Sequence, residues 1–316
     1  MKKITAFYLA LLLFSLCGCE ENNKNSQTRF LLDTVVTLTA DCNDEILSGA
    51  FELCENYEKM LSRTIKESDV QKLNSSEGFI TVSEETAEII EKALYYSELS
   101  NGKFDITVYS VSSLWDFNNQ IVPDRSEIAE ALQNIDYQSI EIEENCVNLN
   151  GRQIDLGGIA KGYIADRLKD YFTGNGTDSG IINLGGNIVV FGNDYKIGIQ
   201  KPFSNDISAT LHLKNCSAVT SGIYQRYIKS GDKIYHHIID PDTGYGVENE
   251  LAGVTIIGES SFDCDALSTV CMLLGTENGK KLIENTDGFE AVFIDRKGKI
   301  TITDGLFKKD KDIYLK

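Results

Sequence analysis

The second half of the chain contains a series of short apolar segments that follow one another without helical segments between them. They are rich in β-branched residues and separated by glycine or asparagine, which predicts strands joined by turns. Their centres lie near Ile181, Ile188, Ile197, Leu211, Val219, Tyr227, Ile238 and Val254. A Rossmann-type unit needs a helix after each strand, so this series argues against that fold and favours the α+β class.

Helical periodicity surrounds this strand-rich part. Apolar side chains recur on one helical face between residues 45 and 61, and Ser83 with the acidic residues after it opens a second helix that runs to about residue 99. Further predicted helices cover 123–132, the stretch that begins near Gly158, 263–275 and 277–286. Predicted strands outside the main series lie at 29–40 and around Ile140, Val147, Val292 and Ile302.

The N-terminus has the pattern of a bacterial lipoprotein signal. Lys2 and Lys3 precede an apolar run at 4–16, and LCGC at 16–19 is typical of cleavage before Cys19 with lipid attachment to its thiol. The run is short for a membrane span, which argues against an uncleaved anchor. The sequence therefore predicts a signal peptide at 1–18, a flexible tether at 19–28 and a folded body at 29–316 on the extracytoplasmic face of a bacterial membrane.

The charge of the chain limits what it binds. The formal net charge is −18 at pH 7, which argues against nucleic acid and against a flat position on anionic lipid, because like charges repel. An anionic ligand held by so acidic a protein needs a metal ion or a local basic residue to offset repulsion.

The cysteines of the body do not follow a disulfide framework or a CxxC pattern. We expect most of them to be buried as small apolar side chains, and a single disulfide stays open as an alternative. They are Cys42, Cys54, Cys146, Cys216, Cys264 and Cys271.

The segment DLGGIAKGYIAD at 155–166 combines an acidic residue, paired glycines and a lysine at the start of a helix. Gly157 and Gly158 allow a ligand to approach the backbone, the helix N-terminus attracts an anion, and Lys161 adds a positive charge. A tight turn from strand to helix with a solvated lysine explains the same residues. Neither GxGxxG nor a P-loop is present here.

A second pattern enters the helix predicted at 263–275. Asp265 and Thr269 are four residues apart, so their carboxylate and hydroxyl lie on one face and offer oxygens to a hard cation such as Mg²⁺. The alternative is an aspartate that stabilises the helix dipole.

In chain order, the polar segments resemble the FAD:protein FMN transferase family, the ApbE-type flavin transferases, from about residue 31 to residue 307. The matching motifs are SRTIKESDVQKLN at 62–74, GKFDITV at 102–108, DLGGIAKGYIAD at 155–166, INLGGNI at 182–188, TSGIY at 220–224, HIIDPDTG at 237–244 and DALST at 265–269. The resemblance implies an ApbE-like two-lobed fold, with mixed or antiparallel sheets flanked by helices and FAD held between the lobes.

The resemblance also implies roles for particular residues. Mg²⁺ is expected on the side chains of Asp265 and Thr269 and the backbone carbonyl of Gly158. Flavin-contacting positions are expected at Leu32, Thr64, Lys103, Phe104, Asp105, Asp155, Lys161 and Ile239. The expected catalytic residues are His237, Asp265 and Lys161, with His237 as the group that accepts the threonine proton. Two alternatives stay open: His237 only positions the substrate, or a nearby carboxylate is the base.

The implied reaction moves FMN from FAD to a threonine of a partner protein through a phosphoester and releases AMP. Partners implied by the resemblance are membrane redox-complex subunits, such as those of an ion-pumping quinone reductase.

Three positions depart from the family pattern. Leu32 and Asp33 stand where the family has methionine and glycine, and Thr64 stands where an aromatic ring is common. A missing ring admits water, so a Mg²⁺-dependent FAD pyrophosphatase that yields FMN and AMP is the first alternative. The second alternative is a lipoprotein that only binds flavin. The intact Asp265, Thr269 and Asp155 loop argue against it, because a protein that only binds flavin needs no metal ligands.

Overall fold

The fold combines antiparallel strands with helices, which confirms the predicted α+β class. The structure is a computed structural model, and it describes residues 24–231 and 233–316. In these ranges the strands are β1 (Asn25–Leu31), β2 (Thr34–Ala40), β3 (Ile80–Thr81), β4 (Glu141–Glu143), β5 (Cys146–Asn148), β6 (Gly180–Leu184), β7 (Asn187–Phe191), β8 (Tyr195–Gln200), β9 (Ile207–Leu213), β10 (Cys216–Gly222), β11 (Tyr227–Ser230), β12 (Lys233–His236), β13 (Leu251–Gly258), β14 (Phe289–Asp295), β15 (Ile300–Ile302), β16 (Leu306–Lys309) and β17 (Asp312–Leu315). The α-helices are α1 (Asp44–Leu61), α2 (Asp69–Asn74), α3 (Glu84–Leu99), α4 (Tyr109–Ser112), α5 (Arg125–Ala131), α6 (Ala160–Gly174) and α7 (Ser261–Glu284).

An eight-stranded sheet forms the middle layer of the molecule. Its order is β1-β2-β6-β7-β10-β13-β14-β15, and every neighbouring pair is antiparallel. Helices α1, α6 and α7 pack on one face. A four-stranded sheet, β16-β17-β9-β8, covers part of the other face and contains one parallel pair, β9 with β17. Two small sheets, β3-β5-β4 and β11-β12, lie outside these layers.

The side chains of the central strands alternate between two cores. In β13, Val254 and Ile256 join the core under the helices, whereas Ile257 joins the core under the four-stranded sheet. In β14, Phe293 and Val292 divide in the same way. This alternation follows from the two-residue period of a strand, and burial on both faces explains why β13 is almost continuously apolar.

Helices α6 and α7 cross at Gly162, where a side chain does not fit. A Cβ added at Gly162 would lie 2.3 Å from the carbonyl oxygen of Ser261 and 2.7 Å from the Cβ of Asp265. The backbone N–H of Gly162 donates to Asp265 Oδ2 over 2.8 Å. The carboxylate of Asp166 on α6 accepts the N–H groups of Ser261 and Phe262 at the start of α7. These bonds satisfy backbone donors that a helix N-terminus leaves free, and they fix α7 against α6.

The predicted helices are confirmed with small shifts of their ends. The segments predicted at 45–61 and 83–99 are α1 and α3, and the Ser83 side chain accepts a hydrogen bond from Thr86 N–H as the N-cap of α3. The two helices predicted at 263–275 and 277–286 form α7, which is interrupted at Gly275 by a left-handed φ of 79°. All six cysteines of the body are free thiols.

The segment predicted as one strand at 29–40 is a hairpin instead. Leu32 and Asp33 form its turn, and both have a positive φ of 55°. The first strand begins at Asn25, so residues 25–28 of the predicted tether at 19–28 belong to the sheet. Their polar side chains look like a linker in the sequence, but in the fold the hydroxyl of Thr28 bonds that of Thr37 across the hairpin.

Two further strand predictions differ from the structure, one after β12 and one near the C-terminus. The strand expected around Ile238 ends at His236, because the backbone turns after β12. The hairpin of β16 and β17 was not predicted, since its strands are only four residues long and the segment that joins them is charged. The signal peptide and Cys19 lie outside the described residues. Among the described residues, no helix is long and apolar enough to cross a membrane.

We predict that Gly162→Ala lowers the free energy of unfolding by about 1–3 kcal/mol, because the added methyl group meets backbone atoms that cannot rotate away. Urea unfolding of the purified protein measures this. Gly174→Ala is the matched control in α6, since nothing lies within 4 Å of its added Cβ. Equal stability of Gly162→Ala and the unmodified protein would contradict the close helix crossing.

Candidate functional site

A cleft of about 850 Å³ lies beside the ends of α6 and α7. It is bounded by the β1–β2 turn, the segment after α1, the loops that precede α4 and α6, and the loops that follow β10 and β12. All predicted site residues among the described residues line it: Leu32, Thr64, Lys103, Phe104, Asp105, Asp155, Gly158, Lys161, His237, Ile239, Asp265 and Thr269. The fold therefore brings together positions that are far apart in sequence.

Three residues that can offer oxygen ligands line the cleft where α7 passes the loop before α6. Asp265 is buried, and the bond from Gly162 occupies only its Oδ2. Because Gly162 N–H donates to Asp265, the carbonyl of Gly158 lacks the bond that the first helical turn would give it. A Cβ added at Gly158 would lie 3.8 Å from Thr269 Oγ1, so the two residues are neighbours. A carboxylate, a hydroxyl and a backbone carbonyl are a donor set that suits a hard cation.

Asp265 is the one carboxylate among these three oxygen ligands. Among the described residues, no group of three or more His, Cys, Asp or Glu side chains is arranged to hold a metal ion. A cation held by Asp265, Thr269 and the Gly158 carbonyl would leave positions for water or substrate oxygens, which is the usual pattern for Mg²⁺. The residues present fit that ion.

Ser221 lies beside Ser268 and Thr269 of α7. Its Oγ lies 2.7 Å from Ser268 Oγ and 3.4 Å from Thr269 Oγ1. Ser221 belongs to the TSGIY motif, whose role the sequence left undefined. The contact assigns this motif to the support of the α7 oxygens.

The loop before α6 is held by its own polar groups. The Asp155 carboxylate pairs with Arg63 and accepts the N–H of Gly157 over 2.9 Å. Lys161 donates from Nζ to the carbonyl of Gly157 over 3.1 Å. Lys161 forms no ion pair with any described carboxylate, so its positive charge is uncompensated at the cleft. Arg63 was not predicted, because nothing in its sequence context points to Asp155.

Lys103 and Asp105 are engaged in the cleft wall. Lys103 Nζ pairs with Asp240 over 3.0 Å and with Asp242 over 2.7 Å. Asp105 accepts bonds from Thr107 and from the N–H of Tyr137, while burial raises the pKa of its carboxyl group. Both side chains line the cleft, yet their charged groups bind the protein itself, so they shape the wall more than they offer free charge.

Apolar side chains form the inner walls. Phe104 is buried against Gly158, where an added Cβ would lie 3.2 Å from its Cε2. Ile239 is buried with Trp115 in a small separate core. At the mouth, Thr64 is exposed and its Oγ1 lies 3.1 Å from Ser62 Oγ. No aromatic ring therefore covers the cleft at position 64.

His237 is held as a neutral imidazole. Its Nδ1 lies 3.2 Å from the carbonyl oxygen of Arg226, which can only accept, so Nδ1 carries the proton and Nε2 is left as an acceptor. Desolvation lowers the pKa of His237 to about 3. Phe117 packs edge-on against the ring. His237 is thus neutral at pH 7, with an unprotonated Nε2 that can accept a hydrogen bond.

Sequence reasoning missed Asn187, Glu58 and Arg226. Asn187 lines the cleft, is 3% exposed, and its Nδ2 has no hydrogen-bond partner among the described residues. The only sequence signal was its place after the two glycines of INLGGNI. Glu58 accepts the N–H of Leu32 over 2.8 Å, and Arg226 donates to the carbonyl of Asp33 over 3.0 Å. These two bonds hold the β1–β2 turn at the mouth of the cleft.

The ApbE family model matches residues 32–293. The chain belongs to the ApbE family. A Klebsiella pneumoniae protein named FAD:protein FMN transferase is 33% identical over 294 residues, covering 90% of this chain and 93% of the relative. A Treponema pallidum protein of the same name is 32% identical over 276 residues, covering 78% and 76%.

Solved ApbE structures have the same fold. The crystal structure of the ApbE protein from Thermotoga maritima superposes with a TM-score of 0.82 at 30% identity, covering 89% of this chain and 97% of that one. The flavin transferase ApbE from Vibrio cholerae gives a TM-score of 0.78 at 24% identity, covering 89% and 97%. The ApbE match includes every described residue of the predicted site.

We predict that His237 does not titrate between pH 8 and pH 5, because its lowered pKa keeps it neutral throughout that range. The pKa of His237 in the folded protein lies below the ordinary value of about 6.5. The stability that the neutral ring contributes is therefore complete above about pH 6.5, and it is lost as the pH falls from there toward the pKa of the folded state. NMR of the imidazole resonances, assigned with His237→Gln, measures this. A midpoint near 6.5 would contradict the desolvated site.

Proposed function

We propose that this ApbE protein moves FMN from FAD to a threonine hydroxyl of an acceptor protein in a Mg²⁺-dependent reaction that releases AMP. The observation that carries the proposal is the convergence of the Asp265, Thr269 and Gly158 oxygens with Lys161 and His237 in one cleft. Its volume of about 850 Å³ is within the common range for ligand sites.

The acidic protein needs local positive charge to hold the FAD pyrophosphate. Arg63 and Lys103 are neutralised by aspartates, whereas Lys161 has no described ion-pair partner. Asp265, Thr269 and the Gly158 carbonyl would hold a Mg²⁺ ion, which would supply further charge stabilisation at the phosphate oxygens. Asn187 supports the same assignment, since its unpartnered amide is available to a polar ligand group in the cleft.

The transfer step balances as a substitution at phosphorus. The threonine oxygen forms a bond to the phosphorus on the FMN side, and the bond from that phosphorus to the bridging oxygen breaks. AMP leaves with the bridging oxygen. The threonine proton passes to Nε2 of His237, the ring nitrogen that the Arg226 contact leaves as an acceptor. Lys161 offsets the charge that develops on the leaving phosphate.

Hydrolysis of FAD is the second candidate, and Thr64 favours it. With an exposed threonine at the mouth, water reaches the position that the acceptor hydroxyl otherwise takes. The same atoms then give free FMN and AMP.

We expect the purified protein with Mg²⁺ to consume FAD and release AMP, and Asp265→Asn to lower this rate by about 100-fold or more, because an amide holds a cation far less well than a carboxylate. Chromatography of the nucleotides measures the rate, with and without a chelator. Glu284→Gln is the matched control on the same helix, where Glu284 pairs only with Lys280. Unchanged FAD in the presence of folded protein and Mg²⁺ would contradict both enzymatic functions.

We expect Thr64→Tyr to shift the ratio of acceptor-bound FMN to free FMN toward transfer by about tenfold, which corresponds to about 1.4 kcal/mol in relative barriers. The added ring excludes water from the mouth. Thr64→Val keeps the size of threonine without a ring and serves as the control. The same product ratio in all three proteins would show that position 64 does not control water.

We further propose that lipid on Cys19 holds the enzyme at the extracytoplasmic face of a bacterial membrane, beside acceptors such as redox-complex subunits. The lipobox and the proximity that a shared membrane gives to both proteins support this. Labelling with radioactive palmitate tests it, because Cys19→Ser should abolish incorporation; equal labelling of both proteins would refute lipid attachment at Cys19.

A further inference from the structure

Among the described residues, four lysine and arginine side chains line the cleft: Arg63, Lys103, Lys161 and Arg226. Arg63 pairs with one aspartate and Lys103 with two. Lys161 and Arg226 instead donate to backbone carbonyl oxygens, and neither forms an ion pair with a carboxylate in the described part of the chain. The proposed reaction uses Lys161 at the leaving phosphate, but it gives no role to Arg226.

The hairpin of β11 and β12 fixes Arg226 beside His237. Tyr227 and His236 form the first residue pair of this hairpin, and Arg226 and His237 are the next residues on the side of the cleft. The carbonyl oxygen of Arg226 accepts the N–H of His237 over 3.2 Å and lies 3.2 Å from Nδ1 of the same residue. Desolvation is the main reason that the pKa of His237 falls to about 3, and the positive charges of Arg226 and Lys161 act in the same direction. Both cations therefore lie near the imidazole.

The guanidinium of Arg226 has donors to spare. Its Nη2 donates to the carbonyl oxygen of Asp33 over 3.0 Å, and no other atom of the described residues accepts a hydrogen bond from it. The carboxylate of Asp33 is exposed and does not pair with it. A guanidinium carries five N–H donors in a planar fork, and its bonds to phosphate oxygens are stronger than a bond to a neutral carbonyl. Most of these donors are available to an anion in the cleft.

We propose that Arg226 binds the non-bridging oxygens of the flavin-side phosphate of FAD, the phosphoryl group that is transferred. The inference rests on the proposed function, in which Nε2 of His237 accepts the proton of the attacking hydroxyl, so that the attacked phosphorus lies next to this ring. Arg226 adjoins His237 on the hairpin, whereas Lys161 reaches the cleft from α6. The two cations thus hold different phosphates: Lys161 holds the one that leaves with AMP, and Arg226 holds the one that stays with the flavin.

A purely structural role is the competing explanation, because the bond from Arg226 to the Asp33 carbonyl also holds the β1–β2 turn. Loss of that role would weaken every ligand of the cleft to a similar extent. Loss of a phosphate contact would weaken only the ligands that carry the flavin phosphate. FMN and riboflavin differ by this phosphate alone, so a comparison of their affinities separates the two roles.

The test measures the dissociation constants of FMN and riboflavin by flavin fluorescence and that of AMP by calorimetry, all with Mg²⁺ present. We expect Arg226→Gln to weaken FMN binding about tenfold or more, because charge-assisted bonds to the phosphate are lost, and to change riboflavin and AMP binding by less than about twofold. Arg226→Lys should lose only part of the FMN affinity, since lysine keeps the charge but not the planar fork. Lys229→Gln is the matched control, because Lys229 is exposed on β11, does not line the cleft and carries the same charge.

Three results would overturn the inference. An unchanged FMN affinity in Arg226→Gln would remove the residue from the phosphate site, and an equal loss of FMN and riboflavin would make it a clamp of the turn. A loss of AMP affinity in place of FMN affinity would assign it to the leaving phosphate. Release of AMP from FAD by the unmodified protein, together with any of these results, would refute the inference alone, whereas unchanged FAD with folded protein and Mg²⁺ would refute the proposed function.

Discussion

The close approach of α6 and α7 at Gly162 is the contact on which the candidate site depends. It places the N–H of Gly162 against Asp265 Oδ2 and thereby fixes one carboxylate oxygen while the other stays available. The same bond leaves the Gly158 carbonyl without its helical donor, next to Thr269. A side chain at position 162 would separate the helices and disperse these oxygens. One glycine thus connects the packing of the fold to the chemistry of the cleft.

Electrostatics in the cleft is arranged against the overall charge of the chain. The protein carries a net charge of −18, yet its proposed substrate contains a pyrophosphate. Lys103 holds the turn with Asp240, and Arg63 holds the loop at Asp155. Lys161 remains as the uncompensated cation among these, and the proposed Mg²⁺ would add positive charge for the anion.

The sequence predicted which residues line the cleft, partly because helical spacing decides which side chains share a face. The spacing of Asp265 and Thr269 places them on one helical face. The resemblance to the family, carried by the order of the motifs, predicted that residues far apart in sequence share one site. The sequence did not predict the hairpin turn at Leu32 and Asp33, since positive φ is usually a property of glycine or asparagine. It also did not predict Asn187, because a missing hydrogen-bond partner is a property of the three-dimensional arrangement alone.

In the proposed reaction, the mouth of the cleft decides what reaches the bound dinucleotide, and the exposed Thr64 lies there. The most direct measurement of the account is intact-mass spectrometry of an acceptor domain incubated with this protein, FAD and Mg²⁺. We expect an acceptor heavier by one FMN in phosphoester linkage, modified on threonine, with the modification lost in Asp265→Asn. An unmodified acceptor in a reaction that accumulates free FMN and AMP would contradict transfer, and unchanged FAD would contradict the site itself.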